Sequence, residues 1–533
     1  MFKKSTNFYF VIFIFYSVYC ALAIGITWDT SFEYIIGKQR LDYLFSLGGN
    51  ESYKKYFESS FYPGLNNTIS AFLVQFFPKK YYVETIHLAN LFFSFCTIFG
   101  ISKLSKELFN KEIGKIVFVF CSLNAIFFGH MAMNGKDTII ALANVWSFYS
   151  IIRYIKYQHV PKKRKKFLIH SSLFIGLGMG VRYTFFVTLI PIIIFTLLDI
   201  FLIKKIISRR FSRKNFLIDS TKVFLIAYFM MILFWPHAHE NIFLNPFKIA
   251  AESLSFAFGA PLSLLNGDFF LSSEYPKNYI LVNLLYKMPE YIVLSFIIFV
   301  LIFFKVFNFF KKKIYGFSSK LFLIFLTIIF PNILILFSSY ALYDGIRLFL
   351  YLIPYINIIP AILLYYLLKN QRELLNKFFV GILFILQIFY ILNFFAITPY
   401  HYVYLNIFAG KHYENSMKFE NDYWGISTKK LIQKLEKNIN LLEDGRVRIA
   451  TCGMENYAAN YYLKKIKNLN YKMVNQYKNE EYDIIIMTNR VVWDEEGLTN
   501  PEDARTCFEK FKGNDIVSIN RRGLNLSKIT KSF

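Results

Sequence analysis

Long apolar runs dominate the pattern of hydrophobic and polar positions in this chain, and each is bounded by charged or turn-forming residues. A run of about 20 apolar residues is long enough for a helix to cross a hydrocarbon core of roughly 30 Å. The first run exceeds the usual apolar core of a cleaved signal peptide, so we expect it to be retained as a helix. The pattern predicts eleven membrane segments, at about 8–26, 84–101, 113–130, 138–155, 168–181, 183–203, 221–235, 290–305, 321–339, 348–368 and 378–397.

Lysine and arginine are distributed unevenly between the two ends of these segments. If the N-terminus is inside, the inside ends carry 28 Lys and Arg, including the basic runs at 162–166 and 311–313, and the outside connections up to residue 397 carry 12. This asymmetry follows the positive-inside rule and predicts a cytoplasmic N-terminus. The net charge of +26 is then largely a topology signal, which removes the main argument for a nucleic-acid partner.

The same pattern divides the chain into two domains. We expect a transmembrane domain over residues 1–397, with large outside loops at 27–83 and 236–289. The first loop is amphipathic, which favours short helices lying on the membrane surface. Eleven crossings place residues 398–533 outside as a soluble extracytoplasmic domain. The fold class predicted is therefore a multi-pass α-helical membrane protein with a small C-terminal domain.

Strand and helix patterns in the tail indicate that this small domain is α/β. Residues 446–450 and 482–487 have the pattern of strands, and 455–466 that of a helix. Cys452 and Cys507 lie in the same tail and could pair if it is extracytoplasmic, with free thiols as the alternative.

Residues 168–203 are interrupted by three glycines and then Arg182. We favour two segments joined by a tight outside turn. The alternative is one long helix with a buried arginine, but an unpaired charge inside the membrane is costly.

Composition agrees with a membrane protein. The 533 residues are 55% hydrophobic and 20% aromatic, which is too apolar for one soluble domain of this length. The five cysteines show no metal-binding or redox spacing.

Ionisable residues beside the outside ends of the segments come from distant parts of the chain. One such charge is usually a solvated helix end, but several that open on one face indicate a site. Carboxylates can deprotonate an acceptor hydroxyl, and cations can bind a phosphate and stabilise the charge that develops as it leaves. A polyprenyl-phosphate sugar would place its phosphate at this depth. The residues are Asp29, Glu33, Lys136, Asp137, Arg182, His237, His239, Glu240, Asp344 and Arg347.

Several sequence blocks carry a family resemblance: Thr27-Trp-Asp29, Met133-Asn-Gly-Lys-Asp137, Tyr343-Asp-Gly-Ile-Arg347, Thr398-Pro-Tyr-His-Tyr-Val-Tyr-Leu-Asn406 and Glu420-Asn-Asp-Tyr-Trp-Gly-Ile-Ser427. With them the chain resembles the bacterial dolichyl-phosphate-mannose protein mannosyltransferase-like enzymes of the GT-C superfamily. The resemblance covers nearly the whole membrane part and the start of the tail. It implies a multi-pass enzyme that moves a sugar, with inversion, from a polyprenyl-phosphate carrier to an acceptor on the outer side.

The resemblance also implies roles for two carboxylates. The catalytic acidic residue of the first outside loop maps onto Asp29, and a second acidic residue maps onto Asp137, for which helix capping is the alternative. Relatives commonly carry Asp-Glu at the first position, whereas this chain has Asp29-Thr30. Glu33 lies one helical turn further on and would project on the same side if the segment is helical. We expect Asp29 to take the proton from the acceptor, with Glu33 as a second catalytic candidate.

The cations are candidates for binding the donor phosphate. Arg182 and Arg347 come first, because a guanidinium can meet a phosphate with two parallel hydrogen bonds. An aromatic and acidic cluster beyond the last helix could bind sugar, with anchoring of its Trp at the membrane interface as the alternative. The second phosphate candidates are Lys136, His237 and His239, and the candidates for sugar or acceptor binding are Asp344, Asp422 and Trp424.

The sequence leaves several alternatives open. The sugar is a hexose such as mannose or a pentose, and the acceptor is a glycan, a lipid or a protein. We expect the bacterial plasma membrane, with the endoplasmic reticulum as the alternative. His237 and His239 are poorly spaced for a metal, so the expected ligands are the lipid-linked donor and membrane lipids, and a divalent metal is not supported. Competing functions are a transporter or flippase for lipid-linked sugars, and an assembly protein that works through its tail.

Overall fold

The structure is a computed structural model that describes residues 2–55, 62–255, 262–337, 340–410, 417–438, 446–467, 469–476, 480–493 and 500–532. Helices fill the part up to Ala396, and most strands lie beyond residue 446. The α-helices are α1 (Phe2–Ala23), α2 (Thr30–Phe45), α3 (Leu65–Val74), α4 (Tyr82–Leu108), α5 (Lys111–Ser122), α6 (Ala125–His130), α7 (Gly135–Tyr157), α8 (Pro161–Val181), α9 (Phe185–Thr188), α10 (Ile190–Leu198), α11 (Arg213–Leu233), α12 (Pro236–His239), α13 (Asn245–Ser255), α14 (Tyr279–Lys287), α15 (Glu290–Leu301), α16 (Phe303–Lys313), α17 (Phe317–Phe337), α18 (Ile353–Ile356), α19 (Ile358–Lys369), α20 (Leu374–Ala396), α21 (Thr428–Lys437), α22 (Asn456–Leu463) and α23 (Cys507–Lys510).

The prediction of a multi-pass membrane protein is confirmed. Each predicted apolar run lies mostly on helix, but 113–130 is broken at Leu123-Asn124 into α5 and α6, and 338–339 lie outside the described residues. The bent pair α14 and α15 (114°) counts as a further span if the two are taken together, and shorter apolar helices include α3 and α10. Eleven crossings therefore stay a prediction. Within the described residues, six helices are long and apolar enough to span a membrane: Lys79–Leu108, Gly135–Tyr157, Arg213–Leu233, Phe317–Phe337, Arg347–Lys369 and Leu374–Ala396.

The predicted break beside Arg182 is confirmed. Helix α8 ends at Val181, Arg182 has extended backbone (φ −145°, ψ 126°), and a new helix begins at Phe185. Gly178 permits the tight turn, because a Cβ there would lie 2.5 Å from the Phe185 ring. The turn leaves the Arg182 side chain at the end of the helix bundle instead of inside an apolar span.

The loop over residues 27–83, which the sequence predicts to lie outside, contains short helices in its described part. Helix α2 packs directly on α3, and Gly37 allows this contact, since a Cβ there would lie 2.2 Å from the Asn67 carbonyl oxygen.

The loop between residues 262 and 271 is a hairpin whose Asn266-Gly267 turn has two positive φ angles, as such turns require.

The C-terminal part contains a five-stranded sheet. From one edge to the other its strands are Tyr471–Met473, Val447–Cys452, Ile484–Thr488, Leu524–Lys531 and Asn514–Arg521. Both predicted strands and the predicted helix are confirmed, with bounds at Val447–Cys452, Ile484–Thr488 and Asn456–Leu463. A disulfide joins Cys452 to Cys507. The strands are β1 (Leu262–Leu265), β2 (Asp268–Leu271), β3 (Val447–Cys452), β4 (Tyr471–Met473), β5 (Ile484–Thr488), β6 (Val491–Trp493), β7 (Ala504–Thr506), β8 (Asn514–Arg521) and β9 (Leu524–Lys531).

Backbone hydrogen bonds attach the C-terminal part to the segment that follows α1. The Gly25 N–H donates to the Ile426 carbonyl at 2.8 Å, and the Trp28 N–H donates to the Trp424 carbonyl at 3.1 Å. Both parts of the chain therefore meet at the end of the bundle where Asp29 lies.

Candidate active site

Asp29 lies between α1 and α2, immediately before the first residue of α2. Its side chain makes no capping hydrogen bond, and the preceding turn is held instead by a 2.5 Å hydrogen bond between the Thr27 and Thr30 hydroxyls. The partial positive charge of a helix N-terminus favours a carboxylate here. The Asp29 side chain is 28% exposed, so it is accessible to a substrate.

Two cations flank Asp29. Its Oδ2 lies 3.9 Å from Lys136 Nζ and 3.8 Å from Arg347 Nη1. Burial raises the pKa of Asp29, but the charges of Lys136, Arg347, Arg490 and Arg182 outweigh burial and leave the pKa below its usual value. Asp29 is therefore a carboxylate at neutral pH and can accept a proton.

Glu33 lies on the same side of the site as Asp29. Helix α2 begins at Thr30, so Glu33 is in its first turn, and Lys136 Nζ lies 2.6 Å from Glu33 Oε1. Burial leaves the pKa of Glu33 above its usual value, whereas the neighbouring cations leave the pKa of Asp29 below its usual value. The expectation that Glu33 would project toward Asp29 is confirmed, with Lys136 bridging the two carboxylates.

Asp137 lies between two guanidinium groups. Its Oδ1 is 3.2 Å from Arg182 Nη1, and its Oδ2 is 4.0 Å from Arg347 Nη1. The helix cap is Asn134, whose Oδ1 accepts the Asp137 N–H at 3.0 Å and whose Nδ2 donates to Asp137 Oδ2 at 2.8 Å. The Asp137 side chain is only 4% exposed, and its carboxylate is shared between Asn134 and the two arginines.

Asp344 and Trp424 fix the orientation of Arg347. Arg347 Nη2 lies 3.0 Å from Asp344 Oδ2, and the Trp424 Nε1–H donates to the same oxygen at 3.2 Å. The guanidinium also stacks on Tyr343 and Trp424, at 4.9 and 4.8 Å from the ring centres. Asp344 has φ +55°, a rare conformation for a residue other than glycine, and such backbone is concentrated at functional sites.

Two guanidinium nitrogens of this cluster lack a hydrogen-bond partner among the described residues. They are the Nε atoms of Arg182 and Arg347, and both are buried. The Tyr62 ring lies beside the Arg182 guanidinium and the Lys136 ammonium, at 6.0 and 5.6 Å. Unpaired buried donors next to three cations are a suitable environment for an anion.

Three residues predicted to bind substrate make other contacts in the structure. Asp422 accepts hydrogen bonds from the Ile426 and Ser427 N–H groups, both at 2.9 Å, and from the Ser427 and Tyr402 hydroxyls, so both its oxygens serve the internal structure instead of a sugar. His237 lies 3.7 Å from Glu240, and His239 bonds to the Tyr43 hydroxyl. Neither histidine forms an ion pair or hydrogen bond with the charged cluster within the described part of the chain. The reason is that α12 packs against the outer part of α2, away from Asp29.

Sequence reasoning missed two charged residues of the site. Arg490 follows strand β5 and lies 3.1 Å from Asp344 through its Nη2. Glu420 accepts a hydrogen bond from the Val491 N–H at 3.2 Å, and burial raises its pKa to about 7. The position of Arg490, at the carboxyl end of a buried parallel strand, is the signal that would have suggested it.

The described residues contain no group of three or more His, Cys, Asp or Glu side chains placed to hold a metal ion. The carboxylates of the cluster face lysine and arginine instead. The expectation about a divalent metal stays a prediction.

The family model described as dolichyl-phosphate-mannose-protein mannosyltransferase matches residues 83–239, a range that includes Asp137 and Arg182. The fold matches the crystal structure of ArnT from Cupriavidus metallidurans bound to undecaprenyl phosphate, with a TM-score of 0.50, 10% identity and coverage of 99% of this chain and 98% of that one. The chain shares the overall fold of that ArnT structure. The oligosaccharyltransferase of Archaeoglobus fulgidus is also similar, at a TM-score of 0.48 and 9% identity over 90% of this chain and 69% of that one. No curated protein matches.

These matches confirm the resemblance to the GT-C superfamily that the sequence blocks indicated. Asp29, Asp344 and Arg347 lie outside the range of the family model, so their roles rest on the geometry of the cluster.

Proposed function

We propose that the protein transfers a sugar, with inversion, from a polyprenyl-phosphate carrier to an acceptor hydroxyl on the extracytoplasmic side of the membrane. The family match and the GT-C fold support the lipid-linked donor. The observation that carries the proposal is a partly exposed carboxylate, Asp29, placed beside buried arginines that have unpaired donors. A base and an anion site are thus adjacent.

Asp29 is the proposed base. The ionised Asp29 carboxylate takes the proton of the acceptor hydroxyl. At the same time the oxygen of that hydroxyl attacks the anomeric carbon from the side opposite the phosphate. A base works best when its pKa is near the working pH, whereas Lys136 and Arg347 hold the pKa of Asp29 low in the free protein. A bound phosphate shares these cations, which raises the pKa of Asp29 and makes it a stronger base once the donor is present.

The leaving group is the lipid phosphate. As the bond between the anomeric carbon and the phosphate oxygen breaks, the electron pair stays on that oxygen. Arg182, Arg347 and Lys136 are the proposed stabilisers of the resulting charge, and a positioned stabiliser of this kind contributes on the order of 3 kcal/mol. Asp137 attracts both arginines and is proposed to keep the two guanidinium groups at the spacing that the phosphate needs.

The proposed location is a bacterial plasma membrane, with the N-terminus cytoplasmic and the C-terminal domain outside. The distribution of Lys and Arg supports this orientation. The disulfide between Cys452 and Cys507 supports it as well, since disulfides persist in oxidising compartments. Alkylation of residue 452 only after reduction, by a reagent added outside intact cells, would test it.

Transfer is tested with purified protein in lipid nanodiscs supplied with a labelled polyprenyl-phosphate sugar and a panel of glycan, lipid and peptide acceptors. We expect release of polyprenyl phosphate, reduced by at least about a hundredfold in Asp29→Asn. Glu51→Gln is the matched control, because Glu51 is an exposed carboxylate of the same loop, and it should be unaffected. Movement of the intact lipid across a bilayer without release of phosphate would instead favour the flippase alternative.

A further inference from the structure

We infer that Arg490, supplied by the C-terminal domain, is a positioning residue that holds both Asp29 and Arg347 in their working geometry. The inference rests on the proposed function and extends it to a residue outside the membrane domain. Arg490 lies beyond the end of β5, and it is 8% exposed.

Three contacts direct the Arg490 guanidinium into the cluster. Its Nη2 lies 3.1 Å from Asp344 Oδ1, its Nη1 donates to the Tyr423 carbonyl, and its face covers the Trp28 ring at 4.8 Å from the ring centre. One planar group therefore contacts three segments that are far apart in sequence. An arginine can do this because its donors are arranged in a rigid fork and its face stacks on aromatic rings.

The contact with Asp344 reaches the proposed phosphate site. Asp344 Oδ1 faces Arg490 and Asp344 Oδ2 faces Arg347 at 3.0 Å, so one buried carboxylate lies between two guanidinium groups. Without Arg490, Asp344 Oδ1 loses its cation, and the carboxylate can rotate so that Oδ1 turns toward Arg347. That rotation would shift the guanidinium that lies 3.8 Å from Asp29.

The contact with Trp28 reaches the proposed base. Trp28 precedes Asp29 directly, and its backbone N–H is already bonded to the Trp424 carbonyl at 3.1 Å. The stacked guanidinium fixes the side chain of the same residue. Arg490 also adds to the positive charges that hold the pKa of Asp29 low. Loss of Arg490 should therefore change both the position and the pKa of Asp29.

The C-terminal domain holds the backbone of Arg490 in place. The Cys507 N–H donates to the Arg490 carbonyl at 2.9 Å, and the disulfide links Cys507 to Cys452 at the end of β3, next to β5 in the sheet. The next residue, Val491, donates its N–H to Glu420. Arg490 thus lies in the short connection between β5 and β6, and hydrogen bonds to Cys507 and from Val491 hold the backbone on both sides of that connection.

The test compares wild type, Arg490→Gln and Arg490→Lys, with Arg505→Gln as an exposed control in the same domain. Transfer of the labelled sugar is measured against pH. For Arg490→Gln we expect kcat to fall by about ten- to a hundredfold and the acidic limb of the pH profile to move up by about one pH unit. Arg490→Lys keeps the charge but loses the fork, so it should lower kcat with a smaller pH shift. Arg505→Gln should match wild type.

A second measurement does not depend on transfer activity. Asp29→Cys is made in a background in which Cys20, Cys96 and Cys121 are replaced by serine, and the rate of alkylation of the introduced thiol is measured against pH. We expect the thiol pKa to rise when Arg490→Gln is added and to change little with Arg505→Gln.

The outcomes separate the two proposals. An unchanged thiol pKa in the Arg490→Gln background overturns the positioning role, as does a pH profile that differs from wild type only in height. Absence of transfer by wild type, together with the expected thiol shift, would overturn the proposed function and leave the positioning of Asp29 by Arg490 supported.

Discussion

Lys136 Nζ lies 2.6 Å from Glu33 Oε1. This ion pair joins the first turn of α2 to the first turn of α7, and Lys136 also lies 3.9 Å from Asp29. One ammonium group thus connects the proposed base to a second carboxylate that stands a helical turn away from it. Two carboxylates therefore share one cation on this side of the site.

Glu33 and Asp29 should respond differently to loss of charge. Because Glu33 is bonded to Lys136 while Asp29 is the more exposed carboxylate, we expect Glu33→Gln to reduce kcat by roughly tenfold and Asp29→Asn by a hundredfold or more. Steady-state transfer assays check the ratio. Equal losses in the two variants would contradict the assignment of Asp29 as the base.

The two arginines should affect the donor more than the acceptor. Arg182→Lys and Arg347→Lys keep the charge but lose the second hydrogen bond, so we expect kcat/KM for the lipid donor to fall by ten- to a hundredfold, or about 1.4 to 3 kcal/mol. His237→Gln is the comparison, because that side chain contacts Glu240 outside the cluster, and it should stay within about threefold of wild type. A loss in His237→Gln as large as in the arginine variants would restore the phosphate role first given to it.

Asp422 should matter for folding. Asp422→Ala would leave the Ile426 and Ser427 N–H groups without their acceptor in a buried site, which costs roughly 1 to 3 kcal/mol for each group. We expect a lower midpoint of thermal unfolding in detergent. The control is Asp515→Ala, which removes a partly exposed ion pair with Lys528 and should cost less than about 1 kcal/mol. Unchanged stability in Asp422→Ala, with impaired sugar binding, would return Asp422 to the binding site.

Glu420 should make stability depend on pH. Burial raises its pKa in the folded protein to about 7, above the ordinary value of 4.5, so its contribution is fully present below about pH 4.5 and is lost as the pH rises through 7. The difference corresponds to at most about 3 kcal/mol. Glu420→Gln should therefore flatten the decline of the melting temperature between pH 5 and 8. The exposed Glu436→Gln should leave that decline unchanged.

Reduction of the disulfide should weaken the protein and its activity together. Cys452→Ser opens the link that closes a loop of 55 residues, which should cost about 2 to 4 kcal/mol. Since the Cys507 N–H donates to the Arg490 carbonyl, sugar transfer should also decrease. Added reductant should lower both the stability and the transfer rate of wild type, and it should have no further effect on Cys452→Ser. Cys96→Ser, which alters a free thiol in the membrane part, is the control for both measurements.

The sequence by itself determined the class of protein and the place of the site. Apolar runs, basic inside ends and the glycine-rich break before Arg182 are local patterns, and each reports how a short segment behaves toward lipid or water. The resemblance added Asp29 and Asp137. Helix geometry was enough to expect Glu33 on the same side as Asp29.

Only the tertiary structure decided which charges are partners. Arg490 and Asp344 lie more than a hundred residues apart in the sequence. No local pattern predicts that the end of β5 will contact the turn that contains Asp344. The same packing turned Asp422 inward and took His237 away from the cluster. Ion pairs form between whatever side chains the packing of distant elements brings within a few ångströms, and that choice is a property of the whole fold.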